Sequence, residues 1–322
     1  MRPRSTHPKR TRLAAATVLA TIAALTAPSV SAAASAPGVA TDSAISVQAT
    51  SAVLRGTVNP QGQSTSYFFQ YGRTRSYGGQ TPVVSAGSGG SNVHVALAVA
   101  GLTSMAGYHF RLIAVNATGA STGGDQSFTT PAIPLSISIA VSPSPAPFGS
   151  DANVSGTLSG TGAAGRAVVL QQNAFPFTAG FVNVGNAQLT SATGAFSFPV
   201  LRLSQITQYR VLTASAPQVS SPVWVENVAV RVVAHVARAH RRHFARFSGI
   251  VTPAEVGMQI GIVRVVHGRN VLVAGTLLRP GGLGFSRYSR VVRVVHGGIY
   301  RVLARITDGA HASAYSAPVR IR

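Results

Sequence analysis

Apolar and polar residues alternate in short runs along most of this chain. Ser51-Ala-Val-Leu-Arg-Gly-Thr-Val58 alternates and then stops at Asn59-Pro-Gln-Gly62, and the aromatic run Thr65–Tyr71 is closed by Gly72. Val93–Val99, Tyr108–Val115 and Gln126–Thr130 continue the pattern, and no stretch among them holds a helical apolar period across a dozen positions. A second stretch repeats the arrangement, with strands expected at Leu135–Val141, Ala152–Leu158, Arg166–Gln172, Ala195–Leu201, Gln208–Ala214 and Pro222–Val230. Pro143-Ser-Pro-Ala-Pro147 breaks the first of these, because proline cannot donate to a sheet ladder. Short strands of period two between turn clusters predict an all-β chain built of antiparallel sandwiches.

A longer repeat overlies the short one. Tyr108-His-Phe-Arg111, Tyr209-Arg-Val211 and Tyr300-Arg-Val302 return at intervals of roughly a hundred residues. Gly156 matches Gly249, Gly165 matches Gly257, Tyr209 matches Tyr300, and Ser221-Pro-Val matches Ala317-Pro-Val, at offsets of 93, 92, 91 and 96 residues. A diverged duplication with loop changes accounts for those offsets. Three tandem units are therefore expected at 37–131, 135–227 and 228–322, the first two joined by Pro131-Ala-Ile-Pro134. The chain has no cysteine, so each unit must be held by its own apolar core, which takes roughly 80–100 residues.

The first unit carries a resemblance. Leu54-Arg-Gly-Thr-Val-Asn-Pro-Gln-Gly62, Phe69-Gln-Tyr-Gly72, Leu102 six residues before Tyr108, Asn116-Ala-Thr-Gly119 and Phe128-Thr-Thr130 resemble a bacterial fibronectin type III domain. The resemblance implies a tyrosine corner, in which the Tyr108 phenol bonds back to the preceding turn. Ser104 stands where that family often has proline, and no Arg-Gly-Asp triplet occurs, so an integrin contact is not implied. In strand order and turn placement, the second and third units resemble bacterial immunoglobulin-like domains of multi-domain surface proteins.

The N-terminus changes the expected compartment. Residues 1–12 carry five basic groups and no acid, Leu13–Ala27 is an apolar run too short to span a bilayer comfortably, and Val30-Ser-Ala32 offers a cleavage site. This pattern predicts a signal peptide over 1–32 and a secreted or envelope-associated mature chain with no membrane span left after cleavage. Retention as an N-terminal anchor is the alternative.

Charge then singles out the last unit. The net charge is +21, and residues 228–322 hold fifteen arginines against only Glu255 and Asp308. Lys9 is the only lysine beside twenty-six arginines, a skew that a GC-rich genome would also produce. Arg238, Arg241, Arg242 and Arg246 form a cationic run between two predicted strands. Alternation turns Arg301, Arg305, Arg320 and Arg322 outward, and Arg264 as well if Val263 and Val265 face the core. Those nine arginines are the candidate site. The planar guanidinium forks onto phosphate or carboxylate, so the expected partner is an anionic cell-wall polymer or glycan. Stacking aromatics are sparse near the run, which argues against specific nucleic-acid recognition. The competing reading is a solvated sheet face on a structural spacer with no ligand.

Catalytic chemistry finds little support. Gly160-Thr-Gly-Ala-Ala-Gly165 spells a dinucleotide fingerprint, but a β-branched run follows it instead of a helix, and no acid lies between Asp151 and Glu226. Six acids in the chain leave few pairs for acid–base work, and no nucleophile elbow or Walker loop occurs. His240 and His243 flank Arg241-Arg242, whose fixed charges oppose a metal ion there. No catalytic residue, cofactor or metal is therefore expected. A hydrolase acting on an acidic glycan is the distant alternative.

Overall fold

The computed structural model describes residues 34–294 and 297–321. The expected signal peptide, His296 and Arg322 therefore lie outside the described residues. Among those described there is no helix, and three antiparallel sandwiches follow one another along the chain. The first runs through β1 (Gly38–Ile45), β2 (Ser51–Asn59), β3 (Thr65–Gly72), β4 (Gly79–Gln80), β5 (Val84–Gly87), β6 (Val93–Ala100), β7 (Gly107–Val115), β8 (Ala120–Thr122) and β9 (Gln126–Thr129). The second comprises β10 (Ser136–Ser142), β11 (Ala146–Pro147), β12 (Ala152–Ser159), β13 (Ala167–Ala174), β14 (Val182–Leu189), β15 (Ala195–Val200), β16 (Thr207–Thr213), β17 (Trp224–Glu226) and β18 (Val228–Ala229). The third comprises β19 (Arg231–Arg238), β20 (Phe244–Thr252), β21 (Gln259–Val266), β22 (Arg269–Leu277), β23 (Arg279–Gly282), β24 (Phe285–Arg293), β25 (Gly298–Arg305), β26 (Ala314–Tyr315) and β27 (Val319–Ile321).

Each sandwich divides its strands in the same way. One sheet pairs β1-β2-β6, β10-β12-β15 or β19-β20-β24-β23. The facing sheet is built on β3–β7, β13–β16 or β21–β25, with β14 or β22 at its edge in the last two. This is the strand division of the fibronectin type III and immunoglobulin-like sandwich. Alternation along the central strands supplies the cores. Ala52, Leu54 and Val58 meet Phe69, Phe110 and Leu112 in the first. Val154, Leu158 and Phe198 meet Leu170 and Val211 in the second, and Phe247 and Val251 meet Ile260, Ile262 and Val302 in the third.

The tyrosine corner forms as the resemblance implies, with the Thr103 N–H donating to the Tyr108 hydroxyl at 2.9 Å. The repeat is also physical. In all three sandwiches the arginine after the tyrosine lies across an aromatic ring: Arg111 over Tyr77, Arg210 over Phe181 and Arg301 over Tyr315, at 4.5, 4.1 and 4.9 Å. The match at Ser221 needs moving by one residue. Ser221 Oγ takes the Val211 N–H and donates to the Pro222 carbonyl, and Ser316 Oγ does the same with Val302 and Ala317. The structural partner of Ser221 is thus Ser316, which sequence matching on proline passed over.

Two elements depart from the alternation reading. The expected strand at Pro222–Val230 splits into β17 and β18, because β18 leaves its neighbours to pair in parallel with β11. β14 is a full edge strand that the sequence does not announce. Its residues Val-Asn-Val-Gly-Asn-Ala-Gln-Leu are mostly exposed, so no buried face imposes a period on them.

The sandwiches meet through hydrogen bonds. Thr161 exchanges backbone and hydroxyl bonds with Ile133, and its hydroxyl lies 3.0 Å from Ser104. At the second junction the loop after β25 reaches into the second sandwich. The Ile206 N–H donates to the Ala310 carbonyl and the Ala312 N–H to the Val228 carbonyl, both at 2.8 Å.

Candidate anion-binding site of the third sandwich

Strand register decides where each arginine points, because residues directly opposite in an antiparallel pair share a face. On the sheet β21–β25–β27, Tyr300, Val302 and Ala304 face the core. Arg301, Arg305 and Arg320 therefore face outward, as the alternation predicted. Arg301 is already engaged, since its Nε donates to the Ser316 carbonyl at 3.1 Å while its guanidinium covers Tyr315. Arg305 and Arg320 are exposed.

Arg264 departs from the expectation. It pairs with Tyr300 and follows Ile260 and Ile262, so it stands on the inner side of the sheet, and Val263 faces outward opposite Arg301. Ile260 and Ile262 occupy the core positions opposite Ala304 and Val302, and that phase carries Arg264 inward. Its Nη2 donates to the Gly297 carbonyl at 3.2 Å, and its Nε is buried without an acceptor among the described residues. The nine candidate arginines thus do not share one face.

The opposite sheet gathers a set that sequence reasoning largely missed. Phe247, Val251, Tyr288 and Val292 fill the core from β20 and β24. The intervening positions turn Arg246, Arg287 and Arg293 outward, and register adds Arg231 opposite Thr252 and Arg279 opposite Arg287. All five are exposed, and only Arg246 belongs to the predicted set. The signal was legible in Arg287-Tyr-Ser-Arg-Val-Val-Arg293, where Tyr288 and Val292 mark the inner phase.

The cationic run forms the β19–β20 hairpin at the end of the sandwich away from the second junction. Phe244 N–H closes the turn on the Arg241 carbonyl at 3.2 Å, and the Arg241 guanidinium packs over the Phe244 ring at 4.9 Å. Beneath this hairpin lies a cavity of about 360 Å³, walled by Arg238, Arg241, Arg242, His243, Gly297 and Ile321. Among the described residues no Asp or Glu lines it. Among the described residues, no arginine of this sandwich is within ion-pair distance of an acid; the ion pairs are Arg75–Asp125, His109–Asp125 and those of His311. Glu255 and Asp308 stand at the junction end, so hairpin and acids occupy opposite ends. Crowding like charges beside a partly enclosed space raises the local potential and favours an anion there. A wider depression of about 570 Å³ lies on the other sheet above the facing pair Gly261 and Gly275. Its rim of Leu272, Leu277, Leu303 and Tyr315 is largely apolar, with Arg305 as its one arginine.

The first sandwich holds the only arginine ion pair among the described residues. Asp125 accepts from Tyr77 Oη at 3.0 Å and Arg75 Nε at 3.2 Å, and lies 2.9 Å from His109 Nδ1. Burial alone would raise its pKa, but the His109 and Tyr77 hydrogen bonds and the charges of His109 and Arg75 outweigh it and hold the carboxyl below the usual range. A depressed folded pKa stabilises above the unfolded value, and that contribution disappears as pH falls through the folded value. Asp125→Asn is therefore expected to lower the first transition at neutral pH. Its deficit relative to the parent chain should close as pH drops below about 4, where the unfolded carboxyl titrates. Denaturant melts across pH 2–7 read this directly, and a deficit independent of pH would contradict the assignment.

No family model matches the chain, and no curated protein matches it. Several solved structures do. The titin domains A168–A170 match at 12% identity over 89% of this chain and 99% of that one, with a TM-score of 0.37. The FN1–FN3 domains of chicken CNTN1 match at 14% identity over 89% and 97%, with a TM-score of 0.26. A trypsin-activated alpha-2-macroglobulin from Escherichia coli matches at 12% identity over 84% of this chain and 22% of its own, with a TM-score of 0.25. By its own strand order, the chain is a tandem of three antiparallel sandwiches of the fibronectin type III and immunoglobulin-like fold.

Proposed function

We propose that this chain is an exported, non-catalytic binding module that holds an anionic cell-wall polymer or glycan through its third sandwich. The observation that carries the reading is the cavity walled by Arg238, Arg241 and Arg242, with no Asp or Glu among the described residues of its wall. Arg246 and Arg293 on the adjoining sheet face extend the positive surface beyond the cavity, as a polymer with repeating charges would require. Export is supported by the basic and apolar N-terminal stretch, and mode of action by guanidinium forks on phosphate or carboxylate oxygens.

Co-sedimentation of the mature chain with insoluble anionic wall polymer, at several salt concentrations, tests this. Binding should weaken steeply with salt, because exposed charges are screened over about 8–10 Å at physiological ionic strength. Arg238→Ala, Arg241→Ala and Arg242→Ala together should weaken binding by at least about tenfold, since a charge-assisted hydrogen bond contributes about 1.5–3 kcal/mol. Alanine at Arg73 and Arg166 in the other sandwiches should leave it unchanged. Binding that ignores salt, or an unaltered triple variant, would overturn the reading. A second reading, a stiff spacer without a ligand, is favoured by the hydrogen-bonded junctions at Thr161 and Ala312, and it predicts no sedimentation at any salt.

A further inference from the structure

The third sandwich has two acids and fourteen described arginines, yet neither acid pairs with an arginine. Both converge instead on one histidine. His311 Nδ1 stands 2.6 Å from Asp308 Oδ2 and 3.0 Å from Glu255 Oε1, and the three ligand atoms lie within 4.8 Å of one another. We propose that Glu255, Asp308 and His311 form a binding site for a divalent transition-metal ion of the zinc type, which clamps the junction between the second and third sandwiches.

Each ligand is held by its surroundings. The Glu255 N–H donates to the buried Ser286 Oγ at 2.8 Å, which fixes the turn after β20. Asp308 Oδ1 accepts the N–H groups of Ala310 and His311 at 3.0 and 2.9 Å, leaving Oδ2 to face the histidine. His311 Nε2 lies 2.9 Å from the Ser204 carbonyl, across the junction. A carbonyl can only accept, so Nε2 carries the hydrogen. Bonding through the second ring nitrogen to a carbonyl is the usual outer support of a metal-bound imidazole, so Nδ1 is the nitrogen that would take the ion, releasing to solvent the hydrogen it otherwise directs at the two carboxylates. Phe148 of the second sandwich packs edge-on against the ring at 5.8 Å.

The donor set selects the ion. One imidazole nitrogen with two carboxylate oxygens suits zinc and its neighbours better than calcium or magnesium, which take oxygen. Metal–ligand bonds of about 2.0–2.1 Å in a tetrahedron put ligand atoms ~3.3 Å apart, so the two contacts to His311 Nδ1 need to open by less than about 1 Å. Water would complete the coordination. Two carboxylates balance the ionic charge, and the Asp308 side chain, 23% exposed, leaves a path of entry. The consequence for the junction is mechanical. Asp308 and His311 bracket Ala310, which accepts from Ile206, and precede Ala312, which bonds to Val228 and Val230. Locking this loop locks the contact.

The sequence carried a faint signal in Asp308-x-x-His311, but Glu255 lies over fifty positions earlier and no spacing rule links it to them. Untagged full-length chain, stripped with chelator, is titrated with zinc chloride by calorimetry and equilibrium dialysis. One equivalent is expected to bind, and neither calcium nor magnesium in millimolar excess should displace it. His311→Ala and Asp308→Asn should weaken that equivalent on the order of 100-fold, with circular dichroism showing that each variant still folds. A His240→Ala/His243→Ala variant should retain it. Zinc should also slow amide exchange at Ile206 and Ala312 in the parent chain and not in the triad variants. The proposal is overturned by the absence of a stoichiometric equivalent, by an equivalent that persists in the triad variants, or by exchange at Ile206 and Ala312 that zinc leaves unchanged.

Discussion

Gly249→Ala is expected to destabilise the third sandwich by on the order of 3 kcal/mol or more, at the upper end of overpacking costs. An added Cβ would lie 1.9 Å from the Val233 carbonyl oxygen and 2.6 Å from the Tyr288 hydroxyl. The first of these is backbone, so no rotamer change relieves the clash. The reason for the tight fit is visible: Tyr288 pairs with Gly249, its ring crosses β20, and its hydroxyl donates to the Val233 carbonyl at 2.9 Å. Burial pushes the Tyr288 phenol well above its usual pKa, so it keeps its proton and donates throughout the accessible range. Gly156 occupies the same place in the second sandwich, opposite Phe196, where a Cβ would lie 2.0 Å from the Ser138 carbonyl oxygen and 2.6 Å from the Phe196 ring. Gly156→Ala should therefore cost a similar amount in its own sandwich. Gly275→Ala serves as the control, because its Cβ would meet nothing closer than 3.5 Å. Denaturant unfolding of the three variants decides the matter. A tolerated Gly249→Ala would show that the ring and strand are less tightly packed than these distances require.

Glu226→Ala carries the second large effect. Glu226 is fully buried, and its two oxygens take the Ala146 N–H at 2.9 Å and the Trp224 indole N–H at 3.0 Å. It is the only charged side chain buried in the second sandwich, and it ties β17 to β11. Burial also pushes the neighbouring Tyr209 phenol up to about 12, and the Glu226 charge adds to that rise. Truncation removes hydrogen bonds to a charged group and leaves a void, which together cost roughly 3 kcal/mol. Glu226→Gln keeps the volume and one acceptor, so it should cost less. Trp224 is the only tryptophan in the chain, which makes its fluorescence a direct reporter. The emission should shift as the indole loses its partner, and the second sandwich should unfold at lower denaturant than in the parent chain. Unchanged emission together with an unchanged midpoint would remove Glu226 from the account of this sandwich.

Both effects arise at positions that a sequence reader passes over. Gly156 and Gly249 were matched to each other by offset, but the ring crossing each of them becomes visible only when β15 and β24 are laid beside their partners. Glu226 fell inside the strand expected at Pro222–Val230, and assembly makes it a core residue, because β18 swings away to join β11 and carries the chain around it.

What the chain determined by itself is the set of strands that bury one face and the distribution of charge. Alternation in Ser51–Val58, Tyr108–Val115, Ala152–Leu158 and Gln208–Ala214 locates those strands, since a half-buried strand must repeat every two residues. The fibronectin type III resemblance, which includes the Leu102-to-Tyr108 spacing, implied the Thr103–Tyr108 bond. The arginine excess of the last sandwich needs no coordinates. Phase and cross-chain assembly are another matter. The identical hexapeptides Val263-Arg-Val-Val-His-Gly268 and Val292-Arg-Val-Val-His-Gly297 show why. In the first, Ile260 and Ile262 take the core and Arg264 points inward opposite Tyr300; in the second, Tyr288 and Val292 take the core and Arg293 points outward opposite Phe244. A shift of one residue in phase exchanges the two faces of a strand, and the neighbouring strands set that phase. The convergence of Glu255 with Asp308 and His311 is likewise a product of tertiary structure, since two loops and the second sandwich must meet before the three side chains share one space.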